Sequence, residues 1–248
     1  MPGRVELERA AFLAAPDREA YLRAHSNLPG PRGNLELLEA ASAAASPTEL
    51  RRWADLDPSV APTDTPGEFV AAVGVVGLGR LVAAGDRTLL PRLRDASRDP
   101  RWRVREAVAI GLQAWGDLDR PALLAEMERW AGGSPLEGRA AMAALCEPRL
   151  LREPDTIART LAVLDRLTMA VRSAQDRRHP DVRVLRQALG YGWSVAVAAD
   201  PDLGLPAFER WLGDPDADVR WIVRSNLAKA RLARAAPAWL ASARARLP

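Results

Sequence analysis

A chain of 248 residues with 48% hydrophobic content is long enough to bury a continuous core as one domain or two, and its formal net charge of +3 is too small to mark a nucleic-acid binder by charge alone. The single cysteine, Cys146, excludes an internal disulfide and a cysteine-rich metal cluster, and His25 and His179 lie far apart without ligand-like neighbours, so neither a metal nor a cofactor is expected. With no evident run of about 18 apolar residues, and charges at Arg4 and Glu6 before any signal-like stretch, the sequence predicts a cytoplasmic protein with no membrane partner.

The amino-terminal quarter reads as short helices, Val5–Ala14 and Asp17–His25, then a rigid loop, Leu28-Pro29-Gly30-Pro31-Arg32-Gly33-Asn34. Helices Leu35–Ala45 and Pro47–Leu56 follow, and Asp57–Pro66, with three prolines, is a connector. Residues 1–65 are expected to be a helical cap of the same domain, shielding the apolar side of what comes next.

From residue 66 the sequence repeats. Asp99-Pro100-Arg101-Trp102-Arg103-Val104-Arg105 and Asp214-Pro215-Asp216-Ala217-Asp218-Val219-Arg220 share Asp-Pro, three residues and Val-Arg, then apolar residues at helical spacing. Asp-Pro ends a helix and turns the chain, because the residue before proline is pushed out of the α region. Weaker copies are marked by Val70, Gly138 and Val182, which with Val104 and Val219 give a period of about 34 to 44 residues, within the range of known repeat proteins. Second helices are expected at Arg87–Ala96, Arg120–Ala131, Asp155–Asp176 and Leu205–Leu212, with joints at Gly116, Gly132-Gly133, Pro154, Pro201 and Gly213. Gly74–Gly79 lies inside an apolar helix and lacks a phosphate-loop ending, so its glycines predict close helix packing.

The two strong copies resemble HEAT repeats, whose second helix opens with Asp-x(4)-Val-Arg. That resemblance implies an all-α, right-handed α-α superhelix of about five helix pairs over residues 66–248, a concave binding face, and Arg105 and Arg220 bonded to a neighbouring acidic turn. Ala188-Leu189-Gly190-Tyr191-Gly192-Trp193, followed by Asp200-Pro201-Asp202, resembles the carboxy-terminal repeats of bacterial alkylpurine DNA glycosylases built from HEAT-like units. It implies a basic concave surface that holds DNA, with Tyr191, or Trp193 beside it, at one of the family's aromatic positions. The family's catalytic aspartate and tryptophan do not carry over, since Glu68–Asp86 contains no tryptophan and no internal acid; Trp53, Asp55 and Asp57 lie outside it.

Candidate contact residues cluster near the end of the chain. From Val219 to Pro248 there are seven basic residues and no acidic one, including Lys229, the only lysine of the chain. Val219, Ile222, Val223 and Leu227 form a core stripe that leaves Trp221, Arg224 and Ala228 on the other face. Tyr191, Trp193, Arg220, Trp221, Arg224 and Lys229 are therefore the candidate contacts for a partner or a nucleic acid, and no catalytic residue is assigned. Asn226, on the apolar side, predicts a buried structural hydrogen bond, and Cys146, in an apolar stretch, an inert thiol. Two readings follow: a non-enzymatic scaffold binding a protein or peptide through its concave face, or a DNA-binding, glycosylase-like repair protein.

Overall fold

Small polar residues followed by proline set many of the helix starts. Ser46, Thr65, Ser134 and Asp200 each accept a backbone N–H of the first turn with proline just behind them, which satisfies an orphan donor and presets φ. Ser46 with Glu49 and Ser134 with Glu137 complete reciprocal capping boxes. In a computed structural model, which describes residues 3–246, such signals yield an all-helical protein of 15 α-helices and one 3-10 turn, with no strand among the described residues. Met1-Pro2 and the last two positions of the basic carboxy-terminal stretch lie outside the described residues.

The chain divides into two compact units, Met1–Leu118 and Asp119–Pro248. The first holds α1 (Arg4–Ala14), α2 (Arg18–Ala24), α3 (Leu35–Ala44), α4 (Pro47–Ala54), α5 (Pro66–Ala83), the 3-10 turn Arg87–Leu89, α6 (Leu90–Ala96) and α7 (Trp102–Leu118). Helix α5 is its axis, packed against α2, α3, α4, α6 and α7. Contrary to the sequence expectation, α5 is long and apolar enough to cross a bilayer by length and composition, but it is mostly buried inside this unit. Its glycines bring neighbours close: a Cβ on Gly79 would lie 2.3 Å from the Cα of Gly111 in α7, and one on Gly74 would lie 2.2 Å from the backbone nitrogen of Ala54 in α4.

The second unit holds α8 (Arg120–Trp130), α9 (Pro135–Leu145), α10 (Pro154–Arg172), α11 (Pro180–Ala199), α12 (Pro201–Glu209), α13 (Ala217–Leu227), α14 (Ala230–Ala235) and α15 (Pro237–Ala245). Here α11 is central, touching α9, α10, α12, α13 and α14. Trp130 and Trp211, which share the text Glu-Arg-Trp, are both buried, their indole N–H groups donating to Glu126 at 2.8 Å and to Asp165 at 3.1 Å.

Several boundaries differ from the sequence reading. Gly116 lies inside α7 and is buried, so it is no joint. Pro201 opens α12 under the Asp200 cap, four residues before the expected Leu205, and the helix accommodates Pro206 in its interior. Of the repeat markers, Val70, Val104 and Val219 are buried, whereas Val182 is only half-buried.

Candidate functional site

The candidate surface is built on α11 and α13. Helix α13 begins at Asp216, whose carboxylate accepts the N–H groups of Asp218 at 3.0 Å and Val219 at 3.1 Å. Val219, Ile222, Val223, Asn226 and Leu227 then face the core, which turns Trp221, Arg224 and Ala228 outward. Trp221 also packs back on α11: a Cβ on Gly190 would meet its ring at 2.7 Å, and the ring remains 37% exposed. One position further, Tyr191 is 44% exposed, and Gly192 makes room for Met142, whose sulfur lies 2.3 Å from where a Cβ would be. Glycines on both sides of Tyr191 thus let neighbouring side chains close on α11 while the tyrosine stands clear.

Asn226 fixes this segment. The wholly buried Asn226 amide bonds to the backbone of α11 and of its own helix, its Oδ1 accepting the Ser194 N–H at 2.8 Å and its Nδ2 donating to the Leu189 carbonyl at 2.8 Å and to the Ile222 carbonyl at 2.8 Å. The Ser194 hydroxyl in turn donates to the Tyr191 carbonyl at 2.8 Å. The backbone that carries Tyr191 is therefore held from both helices.

Cations lie over both exposed rings. The Arg231 guanidinium stacks with its carbon 4.4 Å from the Tyr191 centroid and donates an N–H to the tyrosine hydroxyl, while the Lys229 ammonium is 5.7 Å from the same ring. Arg186 of α11 sits 4.6 Å from the Trp221 centroid and pairs with Asp218 at 2.7 Å. Several arginines of this unit are ion-paired: Arg159 with Glu128, Arg172 with Asp214, Arg177 with Asp216 and Asp218, Arg210 with Asp165, Arg246 with Glu209. Arg220, Lys229, Arg231 and Arg234 are different; among the described residues none has a carboxylate within ion-pair reach. At these four residues the positive charge of the acid-free sequence is not neutralised internally.

The expected contacts thus divide. Tyr191 and Lys229 come together, while Trp221 packs at the neighbouring Gly190, with Arg224 exposed on the Trp221 face of α13. Trp193 does not join them, because it faces the core, fully buried, tilted against Phe208 at 5.3 Å and donating to the Thr168 hydroxyl at 2.9 Å. Arg220 is half-buried and does not hold the acidic turn, whose carboxylates are taken by Arg172, Arg177 and Arg186. Arg105 donates to the carbonyls of Asp99 and Pro100, its own turn, at 2.6 and 2.9 Å. Arg186 and Arg231 were missed. Arg186 reaches Trp221 only through the packing of two helices, whereas Arg231 stood in the acid-free run two residues past Lys229.

The chemistry available here is recognition of an anion. Cys146 is buried, and burial pushes its thiol up to about 12 despite the opposing pull of Arg231, so no thiolate nucleophile is on hand. Among the described residues no group of three or more His, Cys, Asp or Glu side chains is placed to hold a metal ion. No protein-family profile, curated protein or solved structure matches this chain.

Proposed function

We propose that this chain is a HEAT-type helical-repeat scaffold, non-enzymatic, that binds a carboxylate-rich protein or peptide segment at the Tyr191–Trp221–Lys229–Arg231 surface. The repeat reading is supported by alternation: α5, α7, α9, α11 and α13 each carry one of the spaced markers, and a further helix separates each from the next. The partner reading rests on one observation above all, that two cations lacking an internal carboxylate, Lys229 and Arg231, lie together over the exposed Tyr191 ring. A guanidinium stacked on a ring keeps its N–H edge free and loses little freedom on gripping a carboxylate, because it is already oriented.

A second reading, a DNA-binding protein of the alkylpurine glycosylase kind, draws on the same exposed Tyr191 beside unpaired cations. The stacked cations weigh against it. Arg231 and Lys229 lie over Tyr191 and Arg186 over Trp221, so at least one face of each ring is not open to a base.

Fluorescence anisotropy separates the two. A labelled peptide of alternating Glu and Leu should bind the full chain, its Gln counterpart should bind about tenfold or more weakly, and Lys229→Glu with Arg231→Glu should lower affinity for the acidic peptide by a similar factor. Duplex DNA bound instead, with log affinity falling by about 0.9 per phosphate contact against log salt, would favour the second reading. Release of methylated purines from alkylated DNA would then make it an enzyme.

A further inference from the structure

The first unit contains a cavity of about 290 Å³ between the proline-rich loop ahead of α3 and helices α3, α5 and α7. Its walls are apolar, formed chiefly by Leu35, Leu38, Phe69, Trp102 and Ile110. Leu35 and Trp102 are each 46% exposed, although both are bulky and apolar. The size lies at the lower bound of ligand pockets, which suits an anchoring side chain better than a cofactor.

The cavity is preformed. Arg103 stacks on Trp102 with its guanidinium carbon 4.4 Å from the ring centroid. That guanidinium is fixed in turn by the buried Glu68 carboxylate at 3.0 Å, the Asp64 carboxylate at 3.1 Å and the Gly30 carbonyl at 2.7 Å. One network therefore holds the tryptophan wall and ties in the loop that forms the opposite rim, so an incoming group need not order either. The charges of the rim are unequal in their freedom. Arg103 is committed to Glu68 and Asp64, and Glu106 has a partner within the protein. Arg32 is exposed and, among the described residues, has no hydrogen-bond or ion-pair partner.

We propose that this cavity is an anchor site for a partner peptide that presents one bulky apolar side chain beside a carboxylate. The apolar group enters between Phe69, Trp102 and Ile110, and the carboxylate meets Arg32. A rigid tryptophan in a preformed pocket is the kind of feature that concentrates binding energy at interfaces. The site lies wholly in the first unit and uses none of the residues around Tyr191, so it stands or falls independently of the function proposed above.

The test is a nuclear magnetic resonance titration of the isotope-labelled full chain with acetyl-Asp-Leu-Asp-amide, acetyl-Asp-Ala-Asp-amide and acetyl-Lys-Leu-Lys-amide. The acidic leucine peptide should move the Trp102 indole and Gly33 amide signals with a dissociation constant on the order of 1 mM, and the other two should bind at least about tenfold more weakly. Arg32→Glu, at an exposed and unpartnered position, should keep the thermal midpoint and shift the preference toward the lysine peptide; Trp102→Ala should abolish the response. The same titration on the Lys229→Glu, Arg231→Glu chain should be unchanged, which separates this site from the second unit. The proposal is overturned if the Trp102 signal does not move, if the alanine peptide binds equally, if 4-phenylbutyrate binds as tightly as the peptide, or if the signals shift with protein concentration alone, as pairing with a second copy would cause.

Discussion

Asn226 shows how one side chain can hold two helices together. Its removal would leave the Ser194 N–H and the Leu189 and Ile222 carbonyls without their side-chain partner in a dry interior. Asn226→Ala should therefore lower stability by about 1–3 kcal/mol in urea unfolding, since a stranded buried polar group carries its full desolvation penalty. At Cys146 the expectation is kinetic. With its thiol pushed up to about 12 by burial, the native protein should not react with Ellman's reagent at pH 8, and full reaction should appear on unfolding. Both residues were legible in the sequence to different depths. A polar amide on an apolar stripe announced a hydrogen bond, but not that it would reach the backbone of another helix. Trp193 shows the opposite error. It lies two residues from Tyr191, about 200° round the helix, so the two side chains point to different faces and only one can be at the surface.

Between elements, contact distance depends on what the helices omit. Gly79 and Gly111 let α5 and α7 touch backbone to backbone, and the run Gly74–Gly79 was readable as a packing surface because it lacks every other glycine-loop feature. Gly79→Val should destabilise by about 1–3 kcal/mol or more, as its side chain has only the Gly111 backbone to displace. Gly213→Ala should have the opposite sign, neutral to about 1 kcal/mol stabilising, because nothing lies within 4 Å of the added carbon and the unfolded chain loses freedom. Denaturant midpoints of the two variants check both signs. Helix existence was clear from spacing and caps, whereas helix limits were not: Gly116 is a plausible stop, yet α7 runs through it because its far side is packed, and Pro201 is tolerated as a first-turn residue under the Asp200 cap.

Over the whole molecule, arginine–carboxylate pairs tie elements distant in sequence, and their charge state sets the response to acid. The Arg159 guanidinium holds the Glu128 carboxyl below its ordinary value, and at Asp216 the hydrogen bonds from Arg177 and the α13 backbone outweigh a burial effect that works the other way. A carboxyl lowered in the folded state contributes stability above its unfolded value, and that contribution disappears as pH falls through the folded one. The thermal midpoint should accordingly be flat near neutrality and decline once pH drops below about 4, the ordinary carboxylate range. Because these pairs are in part open to solvent, each contributes modestly, and added salt should shrink the decline. This pairing map is what the sequence withheld. It showed an acid-free stretch after Val219, but not that Arg159, Arg172, Arg177, Arg186 and Arg210 would find carboxylates while Lys229 and Arg231 would not.

The placement of Lys229 has a practical side. As the sequence holds a single ε-amino group, and it rests over the Tyr191 ring, acylating reagents directed at lysine act on that surface and on no other side chain. An amine-specific crosslinker would thus capture whatever docks there at one known position, and protection of that amine from acetylation would chart occupancy without any engineered tag.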